Sequence, residues 1–210
     1  MTDYPPEPWH LAGQAHLSVW LLPVARLPKL PEGAEPLVAG GHAPVCTAWF
    51  DYRAPGQLTY HELLCATAIR GGLAASITDI WVDSASSRAG GRELWGIPKD
   101  LATLDFTGDR TFTAAAATAG GWIATAAFTR RAGLPAALPT RFEIAQALGG
   151  RLKRSPVSSR AKLHAAAADW SINPSGPLGF LAGRRPIVSA QLRDFKLVFG
   201  AEPTPSRRSE

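Results

Sequence analysis

Glycine and proline punctuate this chain so densely that it must turn repeatedly, and that is the tightest limit on its fold. With 20 Gly and 18 Pro in 210 residues, many short strands are favoured over long helices, because Gly weakens regular elements and Pro removes a backbone donor. Hydrophobic residues, at 46%, are ample for a core, and charged residues are on the low side at 19%. The length suits one domain, since large all-β folds commonly run this long as single units. The expectation is one domain over residues 1–200, followed by a polar tail, 201–210, with too little to bury to be ordered.

Several classes fall away. No apolar run reaches the ~18 residues of a membrane span. The start, Met1-Thr2-Asp3-Tyr4-Pro5-Pro6, has neither the basic beginning nor the apolar stretch of a signal peptide, so a cytoplasmic protein is expected. Cys46 and Cys65 are too few for a disulfide framework and read as small core residues. The five histidines are scattered without metal-ligand spacing, so neither a metal nor a cofactor is expected. The net charge of +5 gathers between Arg130 and Lys162. That stretch lacks aromatic interleaving or a nucleic-acid motif, and reads as a solvated basic face rather than a nucleic-acid site.

Along the chain, Ala15–Leu22 and Pro44–Tyr52 read as strands, separated by a proline-rich connection with room for one short helical turn. Leu58–Ile69 fits a strand or a helix. Gly71-Gly72 then joins it to the apolar run Leu73–Val82, as in a hairpin. Ser84–Gly91 reads as a small polar loop. Leu101–Thr107 alternates apolar and polar residues. The alanine-rich run Phe112–Thr129 is split by Gly120-Gly121 into two small-residue strands, whose small faces would leave room for a cavity inside a barrel. Arg141–Leu148 reads as a strand, Lys162–Ala168 as a strand or short helix, and Asn173–Gly183 as a loop anchored by Leu178, Phe180 and Leu181. Pro186–Phe199 is a final strand.

One lysine stands apart. In Gly91-Arg92-Glu93-Leu94-Trp95-Gly96-Ile97-Pro98-Lys99-Asp100, Lys99 follows a proline that restricts Ile97 to extended conformations. Leu94, Trp95 and Ile97 belong to a buried segment, expected to be extended. Burial disfavours the charged amine, so Lys99 is expected below the ~10.4 of a free lysine. A neutral amine is a nucleophile able to form a Schiff base with a carbonyl. Strand alternation would turn Asp100 away from Lys99, toward a basic partner outside.

These residues, with Tyr60-His61-Glu62 upstream and Asp194–Gly200 near the end, resemble the acetoacetate decarboxylase family. The resemblance spans about residues 15–200 and is strongest over 60–102. It implies a mainly β fold in which antiparallel sheets close into a cone-shaped barrel around a cavity, with few short helices, in a homo-oligomer. It also implies Lys99 as the Schiff-base lysine, Glu62 as the pocket glutamate, and Tyr60, Trp95 and Ile97 as substrate contacts. Acetoacetate decarboxylase is itself a standard example of an activated lysine. Decarboxylating members carry a second lysine where this chain has Asp100. A second pocket glutamate would fall near Thr47 and a pocket arginine near Gln14.

Three readings follow. Lys99 condenses with a keto acid or ketone in a lyase, as a decarboxylase or as an aldolase-dehydratase. Alternatively, the cavity cyclises or isomerises a larger metabolite without a covalent intermediate. In the third, a binding protein keeps the fold without the chemistry.

Overall fold

The structure, a computed structural model, describes residues 3–201. Strands β1 (Trp9–Pro23), β2 (His42–Tyr52), β3 (Tyr60–Ile69) and β4 (Ala74–Val82) form an antiparallel meander. The α-helix α1 (Ala85–Trp95) follows, then short strands β5 (Lys99–Leu101), β6 (Thr103–Thr107) and β7 (Thr111–Thr118). Two long strands, β8 (Gly121–Leu148) and β9 (Arg151–Ile172), form a hairpin, and β10 (Val188–Phe199) returns beside β1. No helix among the described residues is long and apolar enough to cross a membrane.

Hydrogen bonds link these strands in the order β5-β4-β3-β2-β1-β10-β9-β8-β7-β6, and β4 also pairs with β8. That additional pairing closes a ring running from β4 through β1, β10 and β9 to β8 and back. The fold is therefore mainly β with a closed barrel, antiparallel except where β4 meets β5 and β8 in parallel.

β8 and β9 serve two layers. Near the loop that joins them they complete the barrel, with β8 reaching β4 at Glu143 and Ile144. At their other ends they join β7 and β6 in a sheet that packs on the outside of β1–β4. Between the two regions the register slips on either side of Gly133, where Pro135 interrupts the ladder. Proline in a strand is tolerated at such irregularities.

Alternation explains how one wall can serve both layers. Along β2, Val45, Thr47 and Trp49 face the outer sheet, while Cys46, Ala48 and Phe50 face the barrel. The outer core joins Trp20, Trp49, Leu63 and Trp81 to Leu104, Phe112 and Phe128. The barrel core is built around Trp9, Tyr60, Ile80, Trp95, Ile144 and Phe195. Burying a side chain of this size contributes ~1.5–3 kcal/mol by area.

Four sequence expectations resolve here. Leu58–Ile69 becomes strand β3 from Tyr60, and Lys162–Ala168 is strand, inside the longer β9. The alanine-rich run does form two strands on either side of the Gly120-Gly121 turn. Its small residues, however, do not border the cavity. Ala114, Ala116, Ala124 and Ala126 pack in the outer core, where small side chains let that sheet lie close against bulky Trp20 and Trp49 of β1 and β2.

The expected polar loop at Ser84–Gly91 is instead most of helix α1. Ser84 caps it, its side chain accepting from Ser87 N–H at 3.2 Å, which satisfies one of the helix's unpaired donors. Leu94 and Trp95, expected to be extended, form the end of this helix, and only the segment after Gly96 is non-helical as it approaches β5. After β10, Ala201 donates its N–H to Glu7 Oε1 at 3.1 Å. The expected disorder of Glu202–Glu210 lies outside the described residues.

Candidate active site

Lys99 enters the barrel because β5 pairs with β4 in a fixed register. Lys99 lies opposite Ile80, which faces the cavity, and Asp100 lies opposite Trp81, which faces the other way. Helix α1 is held against this short strand. Arg92 donates through Nε to the Lys99 carbonyl and through its terminal nitrogen to Asp100 Oδ1. Asp100 thus points outward to a basic partner, as alternation predicts.

Two glycines permit this close approach. A Cβ at Gly91 would stand 2.8 Å from Lys99 Cδ. Gly96 ends the helix in the left-handed region at φ 69°, with its N–H on Arg92 O, the conformation that glycine adopts without steric cost.

The lysine is buried, with 4% of its surface exposed. Its Nζ donates to Glu62 Oε2 at 2.8 Å, Ser87 Oγ at 2.9 Å and Tyr60 OH at 3.3 Å. These three acceptors match the three donors of an ammonium. Tyr52 donates its hydroxyl to Glu62 Oε1 at 3.2 Å, fixing the carboxylate from behind. Nζ also lies 5.1 Å from the Tyr60 ring centroid, close enough for attraction to the ring face.

The electrostatics correct one expectation. Burial is the largest single influence on Lys99 and does pull its pKa down. The Glu62 charge and hydrogen bond, with Tyr60, outweigh it, so the amine is held above its ordinary value and stays protonated. Burial pushes the Tyr60 hydroxyl up to about 12, even though the nearby lysine opposes the shift. Tyr52 is raised further, first by burial and then by the Glu62 charge. Both phenols are therefore neutral at pH 7.

This cluster opens on a cavity of about 240 Å³. Tyr60, Trp95 and Ile97 all line it beside Lys99 and Glu62. The Trp95 ring meets Trp9 edge-on at 4.8 Å and Phe199 at 4.5 Å. All five site residues expected from the sequence thus meet in one place. Ser87 and Tyr52 were missed. Ser87 was hidden in a segment read as loop, whereas Tyr52 was open to detection, because it continues the Cys46–Ala48–Phe50 alternation and sits opposite Tyr60.

Thr47 and Gln14, near which further pocket groups would fall, do not reach the cavity. Thr47 is on the outer face, accepting from Trp20 Nε1 at 2.9 Å, and Gln14 accepts from Gln191 Nε2 at 3.2 Å. Among the described residues, no cluster of three His, Cys, Asp or Glu side chains is placed to hold a metal.

Comparison with known proteins places the fold and the family. The acetoacetate decarboxylase from Legionella pneumophila superposes with a TM-score of 0.69 at 16% identity, over 95% of this chain and 88% of that one. The enduracididine biosynthesis enzyme MppR, complexed with pyruvate, gives 0.66 at 18% identity over 98% and 93%. The same enzyme is also known with the condensation product of pyruvate and imidazole 4-carboxaldehyde. An acetoacetate decarboxylase-like enzyme from Sphingomonas wittichii gives 0.64 at 14% identity over 95% and 92%. These likenesses establish the fold. No curated protein sequence matches the chain. The sequence profile of acetoacetate decarboxylase matches residues 24–157, a span that carries Tyr60, Glu62, α1 and the whole Lys99 stretch: the chain belongs to the acetoacetate decarboxylase family.

Proposed function

We propose that this protein is a Schiff-base lyase in which Lys99 condenses with the carbonyl group of a small ketone or keto acid. The observation that carries the reading is the position of Lys99 Nζ, buried at the cavity wall within hydrogen-bond distance of Glu62, Ser87 and Tyr60. MppR, which shares the fold, is complexed with pyruvate, and that is consistent with a carbonyl substrate here.

Because Lys99 rests as an ammonium, Glu62 must first take one of its protons. The freed nitrogen pair adds to the carbonyl carbon, and the C=O π pair moves to oxygen. Glu62 returns its proton to that oxygen, and a second proton from nitrogen completes the departing water. Ammonium plus ketone thus becomes iminium plus water, with Glu62 again a carboxylate. The positive iminium takes the ammonium's place beside Glu62, so the ion pair survives the step. The iminium then accepts the electron pair of a bond broken at the adjacent carbon. A general base must lie about 2.6–3.2 Å from the atom whose proton it takes, and Glu62 Oε2 lies 2.8 Å from Lys99 Nζ.

Borohydride reduction in the presence of a carbonyl compound tests this. The expected result is a stable alkyl adduct on Lys99 by peptide mass mapping, absent from Lys99→Gln. A protein left unmodified by ketones and keto acids alike overturns the reading. Assembly into a homo-oligomer belongs to the same proposal. Exposed Leu134 and Leu138 on β8 are consistent with it, and sedimentation at micromolar concentration decides it.

A further inference from the structure

Beyond the lysine cluster, the cavity contains almost nothing polar. Among the described residues, the charged side chains lining it are limited to Lys99 and Glu62, and their charges cancel. Several cations on the segments that build the barrel are engaged elsewhere. Arg92 holds Asp100, Arg53 holds Asp51, Arg154 holds Glu143, and Lys153 binds Glu7 and the Leu94 carbonyl. An anionic substrate would place a second carboxylate beside the one ammonium that Glu62 already neutralises. An unpaired buried carboxylate costs several kcal/mol. A neutral carbonyl compound incurs no such cost.

The cavity also runs along the strands. On β2, Cys46, Ala48, Phe50 and Tyr52 all face it, and on β3 Tyr60, Glu62, Leu64 and Ala66 do the same. Six residues of strand extend about 20 Å. The reactive group sits at the Tyr52–Tyr60 end. The far end is lined by Cys46, Ala66 and Ala75 together with Ile77 and Ile144, so the space left there is apolar.

We infer that the substrate is a neutral ketone or aldehyde carrying an extended apolar chain, with its carbonyl at Lys99 and its chain lying toward Ala66 and Ala75. This rests on the proposed role of Lys99. Such a substrate has no carboxylate to lose as carbon dioxide. The iminium instead draws its electrons from an adjacent C–H bond: that pair becomes the C=C bond of an enamine, the C=N π pair settles on nitrogen, and the proton goes to Glu62. The enamine carbon then adds to the carbonyl carbon of an aldehyde co-substrate, the C=C pair forming the new C–C bond. The aldehyde C=O pair moves to oxygen and takes the proton from Glu62, and the nitrogen pair re-forms the iminium, which water releases. Cleavage is the same sequence in reverse.

The test has two arms. In the first, calorimetry measures binding of methyl ketones from acetone to 2-nonanone, with acetoacetate and 2-pentanone as a charged and neutral comparison. Affinity is expected to rise about three- to fourfold per methylene, the equivalent of ~0.8 kcal/mol each, and acetoacetate to bind at least tenfold more weakly than 2-pentanone. In Ala66→Leu, the rise should stop at a shorter chain than in wild type. If that variant does not fold, the wild-type series decides alone. Affinity flat with chain length, or acetoacetate binding as well as 2-pentanone, overturns the inference.

In the second arm the same compounds are offered with borohydride. Long ketones that bind without ever modifying Lys99 would remove the Schiff-base reading and leave the apolar specificity standing. Equal modification of Lys99 by acetoacetate and 2-pentanone would do the reverse.

Discussion

Gly91 lies so close to the stem of Lys99 that the helix and the lysine share one packed surface, with no space for a methyl group between them. Replacing Gly91 with Ala favours the helix locally by roughly 1 kcal/mol but overpacks a buried site, at a cost of ~1–3 kcal/mol. Net destabilisation by urea denaturation is expected, together with slower reductive trapping as Nζ shifts from Glu62. A stability gain with unchanged trapping would show that the contact relaxes freely.

Glu62→Gln removes the charge that holds Lys99 protonated. A buried ammonium without its partner should destabilise the fold by ~3–5 kcal/mol at pH 7. The two proteins should also respond oppositely to alkali. In wild type the folded pKa of Lys99 is raised above its ordinary 10.5. The contribution of the pair is therefore full below that value and is lost as pH climbs through the higher folded one. In the variant, burial dominates and lowers the pKa, so stability should recover as pH rises toward 10.5. Denaturation curves from pH 7 to 11 read both slopes.

Ser87→Ala takes away one of the three acceptors around Nζ. One unmet donor on a buried charge should cost ~1–3 kcal/mol, and trapping should slow without disappearing, because Glu62 still moves the proton. Thermal unfolding and trapping kinetics on the same preparation check this. Complete loss of trapping in a folded variant would assign Ser87 a larger part than holding the ammonium.

Asp100→Asn should matter little. Asp100 and Arg92 form an exposed pair on the outside of the barrel, and such pairs contribute ~0–1 kcal/mol. The pH profile of trapping should superimpose on that of wild type, and an acid shift would mean that the Asp100 charge is felt at Nζ.

Alternation at Leu101–Thr107 and in the final strand was legible in the sequence. Pro44–Tyr52 was legible as a strand, and the Pro98 restraint pointed to a fixed Lys99. Leu58–Ile69, by contrast, fitted strand or helix equally, and its alternating faces show only in its pairing with β2. Helix α1 was not legible, because Gly90-Gly91 reads as turn chemistry. Only contact with Trp9 and Lys99 shows why both residues must be small. The long hairpin was hidden by Pro135, Pro139 and Pro156, which interrupt the pattern of β8 and β9 without ending either strand. Lys99 illustrates a limit of a different kind. Burial was foreseeable from its neighbours, but the direction of its pKa depended on Glu62, 37 positions away in sequence and 2.8 Å away in space.

The wall formed by β2 has no spare side. Cys46, Ala48 and Phe50 shape the cavity, while Val45, Thr47 and Trp49 anchor the outer sheet. Inserting or deleting one residue would exchange those two sets, driving Trp49 into the cavity and leaving the outer core with alanine and cysteine. Substitution at fixed spacing meets no such barrier. Descendants of this sequence can therefore diversify what they accept by changing every second letter of β2, while its length stays frozen.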